Sequence, residues 1–223
     1  MQRRRFDGYS IADTGFAGPT MFARGDTIHR NQHGALVAKE QATAIRYLVD
    51  EANMFNGALD RFNWKLVGKK EMIVPYNAFG MYAFNEKLHD VAMQNGLAAD
   101  HRRYEVHRVW VVEATVKPTA RHAASKKVFY LDEDSWLALV GDDYDAQGKL
   151  WKVRESYPIP VWELGGTCDN EPFVQYDLNS GRYVFDGSSV GQGKDTRWYQ
   201  QVNDPRFKVD FFTAETLRAV SER

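Results

Sequence analysis

Tyr104–Val116, YEVHRVWVVEATV, is the stretch whose reading decides the fold. Its even positions are Tyr104, Val106, Arg108, Trp110, Val112, Ala114 and Val116, a mainly apolar set. Its odd positions, Glu105, His107, Val109, Val111, Glu113 and Thr115, are mixed. A period of two with two unlike faces is the mark of a strand in an antiparallel sheet, one face toward a core and the other toward a different environment. Pro118 closes the run, because proline cannot donate to a ladder.

The same pattern extends outward in both directions. Downstream, Lys126–Leu131 reads as a strand, Asp132-Glu133-Asp134-Ser135 as a turn and Trp136–Asp142 as the return strand. A second turn, Asp145-Ala146-Gln147-Gly148, leads into Leu150–Tyr157, with Trp151, Val153 and Tyr157 on one face. Phe173–Leu178 and Arg182–Asp186 flank Asn179-Ser180-Gly181, a hairpin signal with glycine where a positive φ is needed. Upstream, Phe62, Trp64 and Leu66 alternate with Asn63 and Lys65, and a second short run, Met72-Ile73-Val74, ends at Pro75. Helical spacing of apolar residues at 37, 44, 45, 48 and 52 predicts one amphipathic helix over Ala35–Asn53, with residues 7–34 as loop. Thr213 reads as the N-cap of a short C-terminal helix. The expected fold class is therefore α+β, an antiparallel sheet with a few covering helices. As one domain over 1–223, it divides into a loop and helix lead-in (1–60), the sheet (61–212) and the terminal helix (213–223).

Composition bounds the function classes. The 223 residues carry 29 basic and 30 acidic side chains, a formal net charge of −1. Binding nucleic acid through diffuse charge needs a surplus of lysine and arginine, so that class is set aside. Hydrophobic residues make up 43 % and aromatic residues 13 %, which fits a globular chain rather than a disordered one. No apolar run approaches the roughly 18 residues of a spanning helix. Cys168 is the single cysteine, so no intrachain disulfide and no Cys-x-x-Cys motif can form. Met1 is followed by Gln-Arg-Arg-Arg-Phe-Asp with no apolar run behind it, so a secretory signal is not expected in this stretch. That leaves a cytoplasmic protein or a piece of a longer one.

The motifs that could carry chemistry each fall short. Asp143-Tyr144-Asp145-Ala146-Gln147-Gly148 begins like a calcium loop, but Arg154 stands where the bidentate glutamate belongs. Gly191-Gln192-Gly193-Lys194 lacks the first glycine and the final hydroxyl of a phosphate loop, having Ser188 and Asp195 instead. His29 and His33 lack the glutamate of a zinc-protease motif. His107 stands two residues from Glu105, a pairing open to a histidine–carboxylate hydrolase, and Cys168 has no base beside it in sequence. Both are weaker readings than a sheet-face histidine and a small buried thiol. The pairs Lys69-Lys70, Arg102-Arg103 and Lys126-Lys127 are expected as solvated rims, or as the mouth of a site for an anionic head group. Neither a metal set nor a cofactor motif is expected.

What remains is the aromatic loading of the strands, too heavy for the few helices available to cover it. A curved sheet under a thin helical cover leaves an apolar cavity. The expected lining is Tyr104, Val106, Trp110 and Val112 of the long strand, with Trp64, Leu66, Trp136, Trp151 and Val153.

Four segments carry a resemblance: Met54–Phe79 (MFNGALDRFNWKLVGKKEMIVPYNAF), Arg103–His122 (RYEVHRVWVVEATVKPTARH), Lys126–Trp136 (KKVFYLDEDSW) and Tyr176–Tyr183 (YDLNSGRY). They resemble domain-of-unknown-function family 1329, outer-membrane lipoprotein-sorting-like proteins of Gram-negative bacteria. The likeness runs from about Asn53 to Tyr183 and more loosely to the C-terminus. It implies a lipoprotein-carrier-like half-barrel closed by helices around a greasy cavity, a periplasmic location and no established catalytic residues. Family members are roughly twice this length, so the chain matches their C-terminal half, and residues 8–52 read as an insertion atypical of the family. The expected function is a non-enzymatic carrier or chaperone for a lipid or other hydrophobic small molecule, working as a monomer or dimer with an inner-membrane transporter or outer-membrane acceptor. The alternative is an interaction module that docks such a transporter through a strand edge.

Overall fold

The computed structural model describes residues 21–22, 28–30, 36–38, 46–169, 172–196, 198, 211 and 213–221. In chain order the strands are β1 (Met21–Phe22), β2 (Ile28–Arg30), β3 (Leu36–Ala38), β4 (Arg46–Tyr47), β5 (Phe62–Pro75), β6 (Ala92–Met93), β7 (Gly96–Leu97) and β8 (Tyr104–Val116). There follow β9 (Lys126–Asp132), β10 (Ala138–Tyr144), β11 (Leu150–Ser156), β12 (Ile159–Val161), β13 (Thr167–Asp169), β14 (Phe173–Asp177) and β15 (Arg182–Asp186). Eight strands form one antiparallel, curved and unclosed sheet in the order β1-β15-β14-β11-β10-β9-β8-β5. From β8 through β11 each strand pairs with its sequence neighbour, as short polar turns dictate. Two helices are described, Leu88–Val91 and Ala214–Ser221, the second capped by a hydrogen bond from the Thr216 amide to Thr213 Oγ1 of 3.1 Å. The α+β reading of a curved antiparallel sheet with a few helices matches this architecture.

Two local expectations need correction. The helix predicted over Ala35–Asn53 does not form as one element; its described parts are β3, β4 and the 3₁₀ turn Val49–Glu51. β3 pairs with β2 on one side and β4 on the other, and that ladder outweighs a spacing preference worth only tenths of a kcal/mol per residue. β1 and β2 likewise lie in the stretch read as loop. The two short runs Phe62–Leu66 and Met72–Val74 are one strand, β5, interrupted by a bulge between Leu66 and Gly68. Gly68 has a φ of 149°, which side-chain-bearing residues avoid, and the extra residue Val67 shifts the alternation by one. That shift is why one strand reads as two.

The pairing register assigns side chains to two faces. The first holds Val106, Trp110, Val112 and Ala114 of β8 beside Trp64, Leu66, Lys69 and Ile73 of β5. It continues through Phe129 and Lys127 of β9, Gly141 and Asp143 of β10, Lys152 and Arg154 of β11, and Gln175 and Asp177 of β14. The second face carries Val109, Val140, Val174 and Phe185. At the β14–β15 end it packs under the segment 78–98, where Met81, Val91 and Leu97 are buried against Tyr157, Val174, Tyr183 and Phe185. Nearer β8, the second face buries Val74, Val109, Leu139 and Val140 together. The second face is thus the conventional core.

Candidate functional site

The first face is covered unevenly. Its β5–β8–β9 part carries an aromatic band in which Phe62, Ala114 and Phe129 are buried under Phe55. Phe55 meets Trp64 edge-on at 5.4 Å and Phe129 at 5.7 Å, and Trp64 stacks on Phe129 at 6.1 Å. Trp64 Nε1 donates to the Leu59 carbonyl at 2.8 Å, which satisfies its one polar atom. Beyond this point the cover stops. Leu66 is 60 % exposed, Trp136 65 %, and the cross-strand pair Ile73 and Val106 67 % each. Trp136 projects from the turn after β9 and stacks on Trp110 at 6.3 Å. Lys69 Nζ lies 4.0 Å above the Trp110 ring and pairs with Glu133, which also accepts from Arg108. These two cations hold the Glu133 carboxyl below its usual range. The result is a partly open apolar band with one charged clasp across it.

Of the nine residues expected to line a site, Trp64, Leu66, Val106, Trp110, Val112 and Trp136 come together on this band. Trp151 and Val153 do not. Val153 pairs with Asp142 and Tyr176 on the second face, while Trp151 is the extra residue of a bulge between the Asp143–Lys152 and Tyr144–Leu150 pairs, its ring 4.4 Å from Lys152 Nζ and so beside the charged cluster rather than the band. Tyr104, at the start of β8, donates its hydroxyl to Glu155 of the second face at 3.0 Å. Burial and the Glu155 charge push the Tyr104 pKa up to about 12. Ile73, a short-run residue read only as strand, joins the band as the partner of Val106.

Next to the band, on the same face, lies a sealed cluster of charges that sequence reading missed. Lys127, Asp143, Lys152, Arg154 and Glu51 are all fully buried. Lys152 Nζ donates to both Glu51 carboxylate oxygens at 2.8 and 2.9 Å. Asp143 accepts from Lys127 at 3.1 Å and from Arg154, whose guanidinium also reaches the Met54 carbonyl. Asp50 lies 2.8 Å from His122 Nε2 and 3.4 Å from Lys127. Burial alone would raise the pKa of Asp143, but Arg154, Lys127 and Lys152 outweigh it and leave the carboxyl below its ordinary value. Asp50 is lowered as well, burial being outweighed by the hydrogen bond from His122 and the charge of Lys127. Gly141 packs closely under this cluster: a Cβ there would stand 3.4 Å from both Arg154 Nη2 and Met54 Cε, at the edge of ordinary contact. Arg154 lies 5.5 Å from the Phe129 ring centroid, so the cluster abuts the aromatic band directly.

His107, the histidine candidate, is held by contacts within the sheet. His107 Nδ1 lies 3.0 Å from Asp132 Oδ1, a partner the sequence did not suggest, while Glu105 is 3.7 Å from Nε2. The imidazole stacks on Tyr76 at 3.9 Å. His107, Asp132 and Asp134 could in principle converge on a metal ion. Asp132 is already engaged, however: Oδ2 accepts from the Ser135 amide at 2.8 Å and the Ser135 hydroxyl at 2.7 Å. Cys168 lies on β13, paired with Pro160. His33 lies outside the described residues. Asp145 Oδ1 accepts from the Gln147 and Lys149 amides at 2.9 Å, so the calcium-like stretch is a hydrogen-bonded turn. The basic pairs form no common mouth. Neighbours on a strand face opposite ways: Lys127 is buried with Asp143, while Lys126 lies 4.3 Å over Tyr144. Among the described residues no helix is long and apolar enough to cross a membrane.

The family model described as Protein of unknown function (DUF1329) matches residues 34–218. The match starts well before Asn53, so residues 34–52 belong to the family pattern and the atypical insertion expected over 8–52 is corrected there. The uncharacterized protein PA3922 of Pseudomonas aeruginosa is 41 % identical over 139 residues, covering 60 % of this chain and 30 % of that protein. The matched part is thus less than a third of the relative's length. A solved domain from Vibrio parahaemolyticus, provisionally designated an outer membrane lipoprotein-sorting protein, superposes with a TM-score of 0.44 at 13 % identity, covering 89 % of this chain and 70 % of that one. A DUF1329 family protein from Desulfovibrio piger gives a TM-score of 0.38 at 13 % identity, covering 81 % and 65 % respectively.

Proposed function

The chain belongs to the DUF1329 family, and from that premise we propose that it is a non-enzymatic, periplasmic carrier for a lipid or other hydrophobic small molecule. The observation that supports this reading is the partly open apolar band formed by Trp64, Leu66, Trp110, Val112 and Trp136 on a sheet that does not close. An apolar surface of this kind, left uncovered on one side of a sheet, is the usual form of an interaction or ligand site. The energy scale is adequate. A chain of about sixteen methylenes at ~0.8 kcal/mol each gains about 13 kcal/mol gross, against several kcal/mol of lost ligand freedom. Such cargo is held firmly and remains transferable to an outer-membrane acceptor. Mass spectrometry of an organic extract from natively purified protein tests the proposal. A stoichiometric lipid or hydrophobic small molecule is expected; a clean extract, together with no uptake of a fluorescent fatty-acid probe, would overturn it.

A second reading, docking to an inner-membrane transporter by strand addition, is favoured by β5. This strand of fourteen residues ends the sheet, and among the described residues it pairs with β8 alone. Long unpaired edges recruit other strands. Lys65, Lys69 and Lys70 and the bulge blunt this edge, which is why the carrier reading stands first. Capture of a partner that is abolished by Val67→Pro, with no cargo in the extract, would reverse that ranking.

A further inference from the structure

The turn after β9 carries a backbone conformation that apolar burial does not explain. Among the described non-glycine residues, positive φ occurs at Asn53, Met54, Asn77 and Trp136. Asparagine tolerates that region, because its short polar side chain bonds locally. Met54 is held there through its carbonyl, which the buried Arg154 guanidinium takes. Trp136, at a φ of 61°, is a bulky residue in the same region and lies at the surface.

The hairpin dictates the angle. The Asp132 amide donates to the Leu137 carbonyl at 2.9 Å, and the Trp136 amide donates to the Asp132 carbonyl at 3.0 Å. The left-handed position at the end of such short loops ordinarily belongs to glycine, which adopts it at no steric cost. Tryptophan is strained there, and strain of this kind persists only where the surroundings over-determine it. Here they do. Asp132 Oδ2 accepts from the Ser135 amide at 2.8 Å and from its hydroxyl at 2.7 Å. The Glu133 amide donates to the Arg108 carbonyl at 3.1 Å, and the Glu133 carboxylate takes both Lys69 and Arg108. Lys69 also lies over Trp110, so the turn is tied to the ring it faces.

Burial does not offset the strain, because Trp136 is 65 % exposed and removes little apolar area from water. What the turn achieves is position. It lays the indole beside β8 with its plane 22° from that of Trp110 and the ring centroids 6.3 Å apart. Two near-parallel rings, fixed by a rigid turn and open to solvent, discriminate between kinds of apolar ligand. An acyl chain gains only buried area on them. A flat unsaturated ring gains that area and also offset stacking between quadrupoles.

We propose that Trp136 and Trp110 form an aromatic clamp that selects cargo carrying a flat, unsaturated ring system over cargo that is saturated. The proposal rests on the carrier reading of the same band and names the class of its cargo.

The test is calorimetric titration of the full chain with 2-naphthol and with decahydro-2-naphthol, both uncharged at neutral pH. The second molecule has the same carbon skeleton and hydroxyl without the flat π-face. Saturable binding of 2-naphthol is expected, with the saturated analogue at least about fivefold weaker, the scale of about 1 kcal/mol of ring stacking. Trp136→Gly removes the indole and accepts the backbone angle, so this variant should fold, as thermal unfolding checks, and bind the two molecules alike. Trp136→Tyr keeps a ring and should keep the preference. Uptake of a fluorescent fatty-acid probe should fall by no more than about threefold in Trp136→Gly, because the rest of the band still meets the chain. The clamp is overturned if the parent chain binds the two naphthols alike, or if the preference survives in Trp136→Gly. The fatty-acid probe separates that failure from failure of the carrier reading. Uptake of the probe without any ring preference strikes the clamp alone, whereas no saturable binding of any of the three strikes both.

Discussion

The first face of the sheet has two halves built on opposite principles. Around β10 and β11 it buries Lys127, Asp143, Lys152 and Arg154 beneath Glu51 and Met54, with each of these charges facing an opposite one. Around β5 and β8 it leaves Leu66, Ile73, Val106 and Trp136 in water. A fold governed only by transfer energies would do the reverse. Buried ion pairs add little net stability, because desolvation cancels most of their attraction, yet they penalise any arrangement that separates them. The contrast indicates a division of labour. The charged half pins the 50–54 segment in one position, and the apolar half is kept available.

The largest effects belong to the sealed half. Lys152→Ala leaves Glu51 buried without its partner, and urea unfolding should show a loss of about 3–5 kcal/mol. Replacing both members, Lys152→Met with Glu51→Leu, should restore most of that stability. If the single variant were as stable as the parent, the cluster would not be a sealed structural unit.

Acid should reach the same half next. Asp50 and Asp143 titrate below the ordinary aspartate value of 3.8 in the folded chain. A lowered folded pKa means that the unfolded chain takes up its proton first as pH falls. The stabilisation is therefore fully present above about pH 5 and is lost progressively as pH drops below about 4 toward the folded values. A plot of unfolding free energy against pH should fall across that window, and Asp143→Asn should flatten it while lowering the plateau. An unchanged slope in the variant would mean that other carboxylates carry the acid sensitivity.

The open half should respond in the opposite manner. Trp110→Asp places a charge in the middle of the band and is expected to abolish uptake of a fluorescent fatty-acid probe in a protein that still folds. Val153→Ser, on the second face, should leave uptake unchanged. Equal losses from both would indicate that the sheet face is not the site.

These contrasts also mark what the sequence made legible. The alternation in Tyr104–Val116 carries its own face assignment, and Trp64 and Leu66 follow because β5 pairs directly with β8. Trp151 and Val153 lie three strands from β8, and two register shifts intervene, at Ala138/Val140 and Asp143/Tyr144. No single strand contains the information that fixes their side: Val153 faces the other way, and Trp151 sits on the bulge itself. Lys127, Lys152 and Arg154 were hidden for a different reason. Alternation is read by taking apolar residues as inward, and here charged residues occupy inward positions because partners elsewhere in the chain compensate them: Asp143 and Asp50 for Lys127, Glu51 for Lys152 and the Met54 carbonyl for Arg154.

The smallest effect tests how far the band extends. Ile73 and Val106 form a cross-strand pair where β5 and β8 continue beyond β9, whose last pairing on β8 is Asp132 with Val109. Both side chains are two-thirds exposed, so Ile73→Ser or Val106→Ser should change folding stability by no more than about 0.5 kcal/mol. A ligand lying along the whole band would still touch them, and its loss of contact with one side chain should weaken uptake about two- to threefold, on the order of half a kcal/mol. The double change should weaken it further if one ligand spans both. A full retention of uptake in the double variant would end the cargo's footprint at Trp110 and Trp136, with the clasp of Lys69, Arg108 and Glu133 as its boundary. In that case the ribbon tip would be free for the strand-addition role, and the two functional readings would divide the same pair of strands between them.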